Sequence, residues 1–184
     1  MAVQVEILTE DFTGLISQSE YEEFLRFDGT DQDNVLPFMV VSAIKMAEHF
    51  CNASFGNKTI KYQNDSVIAG LKYWLPFPKI NSITSVKLNG VALSEGADYV
   101  IGGLENKYLI FISGGTGFNH DIFEVEYSAG YLTPADVNGG IKEGILGILS
   151  ENFEHRQDSI DGSVHILPRN SRVKLQPYKN PQFT

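Results

Sequence analysis

Residues 25–33 read LRFDGTDQD. Asp28, Asp31 and Asp33 crowd around Gly29, an oxygen-rich, turn-forming run of the kind that holds a hard cation such as calcium or magnesium. An EF-hand-type loop wants acids or amides at positions 1, 3 and 5, glycine at 6 and glutamate at 12. A frame starting at Asp28 puts Thr30 and Gln32 at positions 3 and 5, and a frame starting at Asp31 puts Val35 at position 5. Both frames fail. The stretch reads instead as a separator that caps a following helix. The alternative is an enzyme with a metal on Asp28, Asp31 and Asp33, which a calcium- or magnesium-dependent melting temperature would support.

The remaining chemistry-bearing residues assemble no reaction. His49, His120, His155 and His165 offer no ligand pair on one helix and no H-E-x-x-H. His49 and Cys51 are two residues apart on a helical pattern and so face different sides. Gly114-Gly115-Thr116-Gly117 lacks the Lys-Ser/Thr of a phosphate loop and precedes a strand pattern, which makes it a turn. Glu22/Glu23 and Glu124/Glu126 lie on patterns expected to face water. Tyr73, Trp74 and Phe77 could stack on a sugar or a base, or form the core of a β lobe. Nucleophile, base and orienting group do not come together, so the expectation is a protein that is not an enzyme and has no cofactor and no metal.

The elements that would position these residues follow from local pattern. Ser17-Gln18-Ser19-Glu20 has capping-box spacing and opens a short amphipathic helix from Gln18 to about Phe27, with Gly29 as its stop. Thr30 is the expected cap of a long helix reaching about Phe55, with Leu36, Val40, Ala43, Ala47 and Phe50 in one stripe widened by Val35, Met39 and Ile44. An apolar surface so wide must be covered on several sides, partly by another subunit. Pro37 should kink or restart this helix. From Asn57 to Tyr127 short alternating runs predict strands: Lys58 to Tyr62, Ser66 to Leu75, Ile83 to Leu88, Tyr99 to Ile101, Tyr108 to Ile112 and Asp121 to Tyr127. Asn89-Gly90 is a two-residue hairpin signal leading into Val91–Leu93. Pro76 and Pro78 break strand continuity. Thr133-Pro134-Ala135-Asp136 starts a last long helix running to about Gln157, with Val137, Ile141, Ile145 and Ile148 in one stripe. Gly140, Gly144 and Gly147 lie on it, and interior glycines there imply that another helix or backbone comes close. An irregular stretch with three prolines closes the chain.

The fold class read from this order is α+β: a mainly helical body, about 15–56 and 133–158, with an inserted β-rich lobe, about 57–130, and an irregular C-terminal tail, about 159–184. The 184 residues suit one domain, and 42% apolar residues suffice for a core. Net charge is −9, which argues against a general nucleic-acid or membrane-surface binder. The charge is uneven: residues 162–184 carry Arg169, Arg172, Lys174 and Lys179 and no acid, which leaves −13 for residues 1–161. The basic tail either binds something the acidic body does not, or is a solvated end. A single cysteine rules out an intrachain disulfide framework. The start MAVQVEILTEDF lacks a basic segment followed by an apolar run, and no stretch approaches the roughly 18 apolar residues of a span, so the expectation is a soluble protein of a reducing cytoplasm.

Four stretches in this order resemble the tailed-bacteriophage head–tail connector family, also called adaptor or head completion proteins. They are ISQSEYEEFLRFDGTDQDNVLPFMVVSAIKMAEHFCN, YWLPFPKINSITSVKLNGVALSEGADYVI, VEYSAGYLTPADVNGGIKEGILGILSENFEHRQD and the closing LPRNSRVKLQPYKN. Together they cover nearly the whole chain. The resemblance implies a structural virion protein of the phage neck, made in the host bacterial cytoplasm. Members form rings of about twelve copies that dock on the portal after DNA packaging, extend the channel and seat tail or stopper proteins, with DNA only as passing cargo. It further implies portal docking through the C-terminal segment, here by Arg169, Arg172, Lys174 and Tyr178. The two long helices would supply subunit contacts through Val40, Ile44, Ala47, Gly140, Gly144 and Ile148. The rival reading is a phage β module that binds a ligand or host surface through the Trp74 cluster.

Overall fold

A computed structural model describes residues 3–27, 35–112, 121–154 and 167–180. The chain divides into two compact units, one from residues 1–11 and 57–130 and the other from residues 12–56 and 131–184.

The first unit is all β. Strands β1 (Val3–Asp11), β2 (Asn57–Asn64), β4 (Ile80–Leu88), β5 (Val91–Ala92) and β8 (Phe123–Ala129) form an antiparallel five-stranded sheet in the order β1-β2-β8-β4-β5. Strands β3 (Lys72–Trp74), β6 (Tyr99–Gly102) and β7 (Tyr108–Phe111) form a second sheet in the order β3-β7-β6. Asn89 and Gly90 both have positive φ, 50° and 81°, as a two-residue turn between twisted strands requires. Alternation decides which face of each strand is buried. On β8, Phe123, Val125, Tyr127 and Ala129 are buried, and opposite them on β2 lie Tyr62 and Ile60. Phe123 is the centre of this core, 4.9 Å from the Tyr73 ring and 5.1 Å from the Phe111 ring, both on the smaller sheet. The Tyr127 hydroxyl donates to the Pro76 carbonyl at 2.7 Å, and burial pushes its pKa upward so that it stays a donor.

The second unit is helical. Helix α1 (Gln18–Leu25) opens on the expected capping box: the Ser17 oxygen accepts from the Glu20 N–H at 3.3 Å, and the Glu20 carboxylate accepts from the Ser17 N–H at 2.7 Å. It stops earlier than expected, at Arg26, whose left-handed φ of 53° takes the role assigned to Gly29. Helix α2 (Leu36–Cys51) has Pro37 in its first turn, where no N–H is needed, so the proline starts the helix rather than kinking it. Asn52, at φ 50°, ends it. The buried Glu48 carboxylate accepts from the Phe55 and Gly56 N–H groups at 2.7 and 3.0 Å and so fixes the chain leaving α2. Helix α3 (Gly139–Glu154) follows a 3-10 turn at Pro134–Asp136. The Asn138 side chain accepts from the Gly140 N–H at 2.9 Å. Helix α4 (Arg169–Leu175) packs on α3 and α2.

Three expectations change. The molecule is α+β but sheet-rich, with eight strands against four α-helices among the described residues, so the mainly helical body is corrected. The strands come from separate stretches, β1 before the first helix and the rest after α2, and only their pairing shows that they make a complete two-sheet unit. The irregular tail is corrected as well, because residues 169–175 are helical. Of the run Ser66 to Leu75, only Lys72–Trp74 is strand. The Thr30 cap, the Asp28–Asp33 turn and the Gly114–Gly117 turn lie outside the described residues.

Glu20 joins the helical unit's elements. Its carboxylate takes a 2.7 Å ion pair from Lys142 on α3. That bond, followed by the Ser17 N–H, lowers its pKa from 4.5 to about 2. A depressed carboxylate stabilises the fold above its unfolded pKa and loses that contribution as pH falls toward its folded pKa. The wild-type urea midpoint is therefore expected to drop more than that of Glu20→Gln between about pH 6 and about pH 3. The carboxylate is substantially exposed, so solvent screening keeps the difference small. Equal drops would show that the pair contributes nothing.

Candidate functional site

The basic C-terminal segment is held against three of the glycines of α3, Gly140, Gly144 and Gly147. A Cβ on Gly144 would sit 2.7 Å from Leu175 Cγ, one on Gly147 2.5 Å from Ser171 Oγ, and one on Gly140 3.0 Å from the Tyr178 hydroxyl. The close approach expected from these glycines is thus made by the chain's own α4 and the turn after it. Leu175 is fully buried, and its carbonyl accepts from Cys51 Sγ at 3.5 Å. The Asn180 N–H donates to the Cys51 carbonyl at 2.8 Å, and Lys179 lies 5.5 Å from the centre of the Phe50 ring. Burial pushes the Cys51 thiol up to about 12, so it is a core side chain rather than a nucleophile. His49 is exposed while Cys51 is buried, as their spacing requires.

This packing sorts the four candidate docking residues. Arg169 and Arg172 are exposed, and so is Val173, at 66%. Lys174 is held by a close ion pair with Glu143 on α3, and Tyr178 is half-buried beside Gly140. The exposed residues of α4 are therefore Arg169, Asn170, Arg172 and Val173, while Lys174 and Tyr178 help attach the segment. Val173 carried no signal in the sequence, because one exposed valine is ordinary.

The six residues named for subunit contact fall elsewhere. Val40, Ile44, Ala47, Gly144 and Ile148 are buried in the core of their own unit, and Gly140 is half-buried under Tyr178. The α2 stripe of Leu36, Val40, Ala43, Ile44 and Ala47 is buried in the core with α3 and Leu175 of the same chain, while Val35 and Phe38 stay exposed.

Around Trp74 the structure separates the cluster. Tyr73 is buried, and its hydroxyl accepts from the Ile68 N–H at 2.7 Å. Trp74 is half-buried on the opposite face of the same strand, edge-on to Tyr108 at 4.6 Å. Glu124 pairs with Lys61 at 3.0 Å. Among the described residues no three His, Cys, Asp or Glu side chains gather as a metal site, and no helix is long and apolar enough to cross a membrane. Asp28, Asp31, Asp33, His120, His155 and His165 lie outside the described residues.

Comparison with known proteins bears on what these surfaces serve. No curated protein matches the sequence. The fold is similar to that of a chain in the neck of an empty gene transfer agent particle computed with C6 symmetry, with TM-score 0.76 and 14% identity over 98% of this chain and 97% of that one. It is similar to a chain of the virion of a native gene transfer agent particle, with TM-score 0.75, 13% identity and the same coverage. A chain from the neck of the native particle, computed with C12 symmetry, has TM-score 0.72 and 11% identity over 98% and 97%. These likenesses are of fold. The sequence itself matches the Head completion protein family over residues 14–141, from before α1 into α3, and by that match the chain belongs to the head completion protein family.

Proposed function

We propose that this chain is a structural protein of the neck of a tailed-phage particle. It forms a ring of about twelve copies that docks on the portal, extends the DNA channel and seats tail or stopper proteins. The observation that carries the reading is the conjunction of the family match with a fold shared, over nearly the full length of both chains, with a chain of a particle neck. The C12 symmetry named for one of those necks supports the copy number. The acidic excess in residues 1–161 suits a channel wall that repels phosphates and lets DNA slide.

Portal docking is assigned to the outward face of α4, with Arg169 and Arg172 meeting acidic groups and Val173 exposed on the same helix. Lys174 and Tyr178 hold that face in place. The test is charge reversal rather than deletion, since deleting the segment would also remove Leu175 from the core. Arg169→Glu with Arg172→Glu is expected to leave the melting temperature nearly unchanged and to weaken co-sedimentation with purified portal by about tenfold or more. Undiminished portal binding would remove the docking role from α4.

A second reading, a β module that binds a ligand or host surface, has the partly exposed Trp74–Tyr108 pair in its favour. Trp74 is the single tryptophan, so its fluorescence during a saccharide titration tests that reading directly.

A further inference from the structure

The two sheets of the β unit present different outer faces. On the larger sheet the outward side chains are polar, including Lys61, Gln63, Lys87, Glu124 and Glu126. On the smaller sheet the register sets Lys72, Ile110 and Val100 side by side, with Trp74, Tyr108 and Gly102 in the next row. Their neighbours Tyr73, Leu109, Phe111 and Tyr99 are buried, so this row set faces outward. Outward residues of a two-sheet sandwich are ordinarily polar. Here an edge-on Trp–Tyr pair, an isoleucine and a 40%-exposed valine lie side by side, with the Lys72 ammonium 4.8 Å from the centre of the Tyr108 ring. The Tyr108 ring lies over Gly102, where a Cβ would come within 2.3 Å of it. Glycine thus lets the tyrosine lie flat and broadens the surface.

A second apolar surface belongs to β1. Val3, Val5 and Ile7 pair with Asn64, Tyr62 and Ile60, which places them on the core face of the larger sheet. Tyr62 and Ile60 are buried, yet Val3, Val5 and Ile7 are 53%, 40% and 45% exposed. The smaller sheet stops short, and β1 overhangs it. The opposite edge of the larger sheet is protected, since β5 has two residues and β4 carries register shifts at Ile80/Ser82 and Ile83/Ser85. Short edge strands and bulges are devices that prevent edge pairing, and β1 has neither over Val3–Ile7.

We propose that these two surfaces bind each other between copies of this chain, the β1 overhang of one copy against the Trp74–Tyr108–Ile110 face of the next. The inference rests on the ring reading above. A closed ring needs heterologous contacts, in which each subunit offers two different patches, whereas a two-fold dimer needs only one self-complementary patch. Two distinct apolar sheet surfaces on one unit meet that need.

The test uses two full-length variants, Val5→Cys and Ile110→Cys, with Val100→Cys as a replacement should Ile110→Cys lose the wild-type near-ultraviolet dichroism. Native Cys51 is buried and does not compete. Each variant alone, treated with a short bis-maleimide, is expected to remain uncross-linked, and the equimolar mixture is expected to give a covalent dimer. Self-cross-linking of Val5→Cys would overturn the proposal in favour of a two-fold contact. No dimer from the mixture would overturn it whatever the wild-type mass. If wild-type rings then appear by light scattering and electron microscopy, the ring reading survives and only this contact falls. If the mixture cross-links while the wild type never exceeds a dimer, the contact stands and the ring reading falls. A silent mixture together with saccharide-dependent Trp74 fluorescence would assign the smaller-sheet face to a ligand instead.

Discussion

Truncating Leu175 to alanine is expected to cost about 2–5 kcal/mol of stability, the range for removing a fully buried leucine, and to free the C-terminal segment. Leu175 is the anchor of α4: its side chain fills the space above Gly144, and its carbonyl takes the Cys51 thiol. The helix it anchors has seven residues. A helix that short does not persist in water on its own, so the segment is ordered by packing rather than by propensity. The consequence reaches function. Leu175→Ala removes no charge, yet it should impair portal binding as strongly as reversing Arg169 and Arg172, because the guanidinium pair loses its platform. Urea midpoints measure the first effect, and amide exchange over residues 169–175 measures the second. Wild-type protection of those amides in Leu175→Ala would show that α4 is held by something else.

Phe123→Ala should be still more damaging, at about 3–5 kcal/mol. Phe123 has no exposed area and touches rings from both sheets, with Tyr62 at 5.7 Å on its own sheet and Tyr73 and Phe111 on the other. Alanine would leave a cavity ringed by three aromatic side chains that cannot all tilt inward. Trp74 lies on the same smaller sheet and reports the transition by fluorescence. Phe123→Leu keeps most of the volume and should cost clearly less. A Phe123→Ala midpoint near that of Phe123→Leu would mean that the two sheets close over the gap. In that case their separation is not fixed by this aromatic cluster.

Local chemistry was legible in the sequence wherever the partners are close in the chain. The capping box of α1 needs only Ser17 and Glu20, and both bonds form. The Asn89-Gly90 turn needs only two residues with positive φ. Gly140, Gly144 and Gly147 announced a close approach, and one occurs at each. The identity of the approaching group was not legible, since Leu175, Ser171 and Tyr178 are distant in the chain and look polar and sparse there. The burial of the residues named for subunit contact was not legible for the same reason. An apolar helix surface says that something must cover it, but Val40, Ile44 and Ala47 do not distinguish a neighbour in the same chain from one in another subunit. In β1 the alternation of Val3, Val5 and Ile7 is a strand signal, but no sequence pattern shows that the smaller sheet stops short of it.

The sequence by itself therefore determined the three longer helices, the α1 capping box, the Asn89-Gly90 turn, most strands from residue 57 to 129 and the family, because these depend on short-range periodicity and on ordered motifs, whereas strand β1 and helix α4 were not read from it. The tertiary structure alone decided that the β segments make a complete two-sheet unit. It also decided that residues 169–175 of the basic tail form a packed helix with Arg169, Arg172 and Val173 exposed, and that Val3, Val5 and Ile7 of β1 stay exposed while Trp74 is half-buried. Those outcomes depend on which distant side chains exclude water from one another. Burial is a property of the assembled surface, so no single segment encodes it.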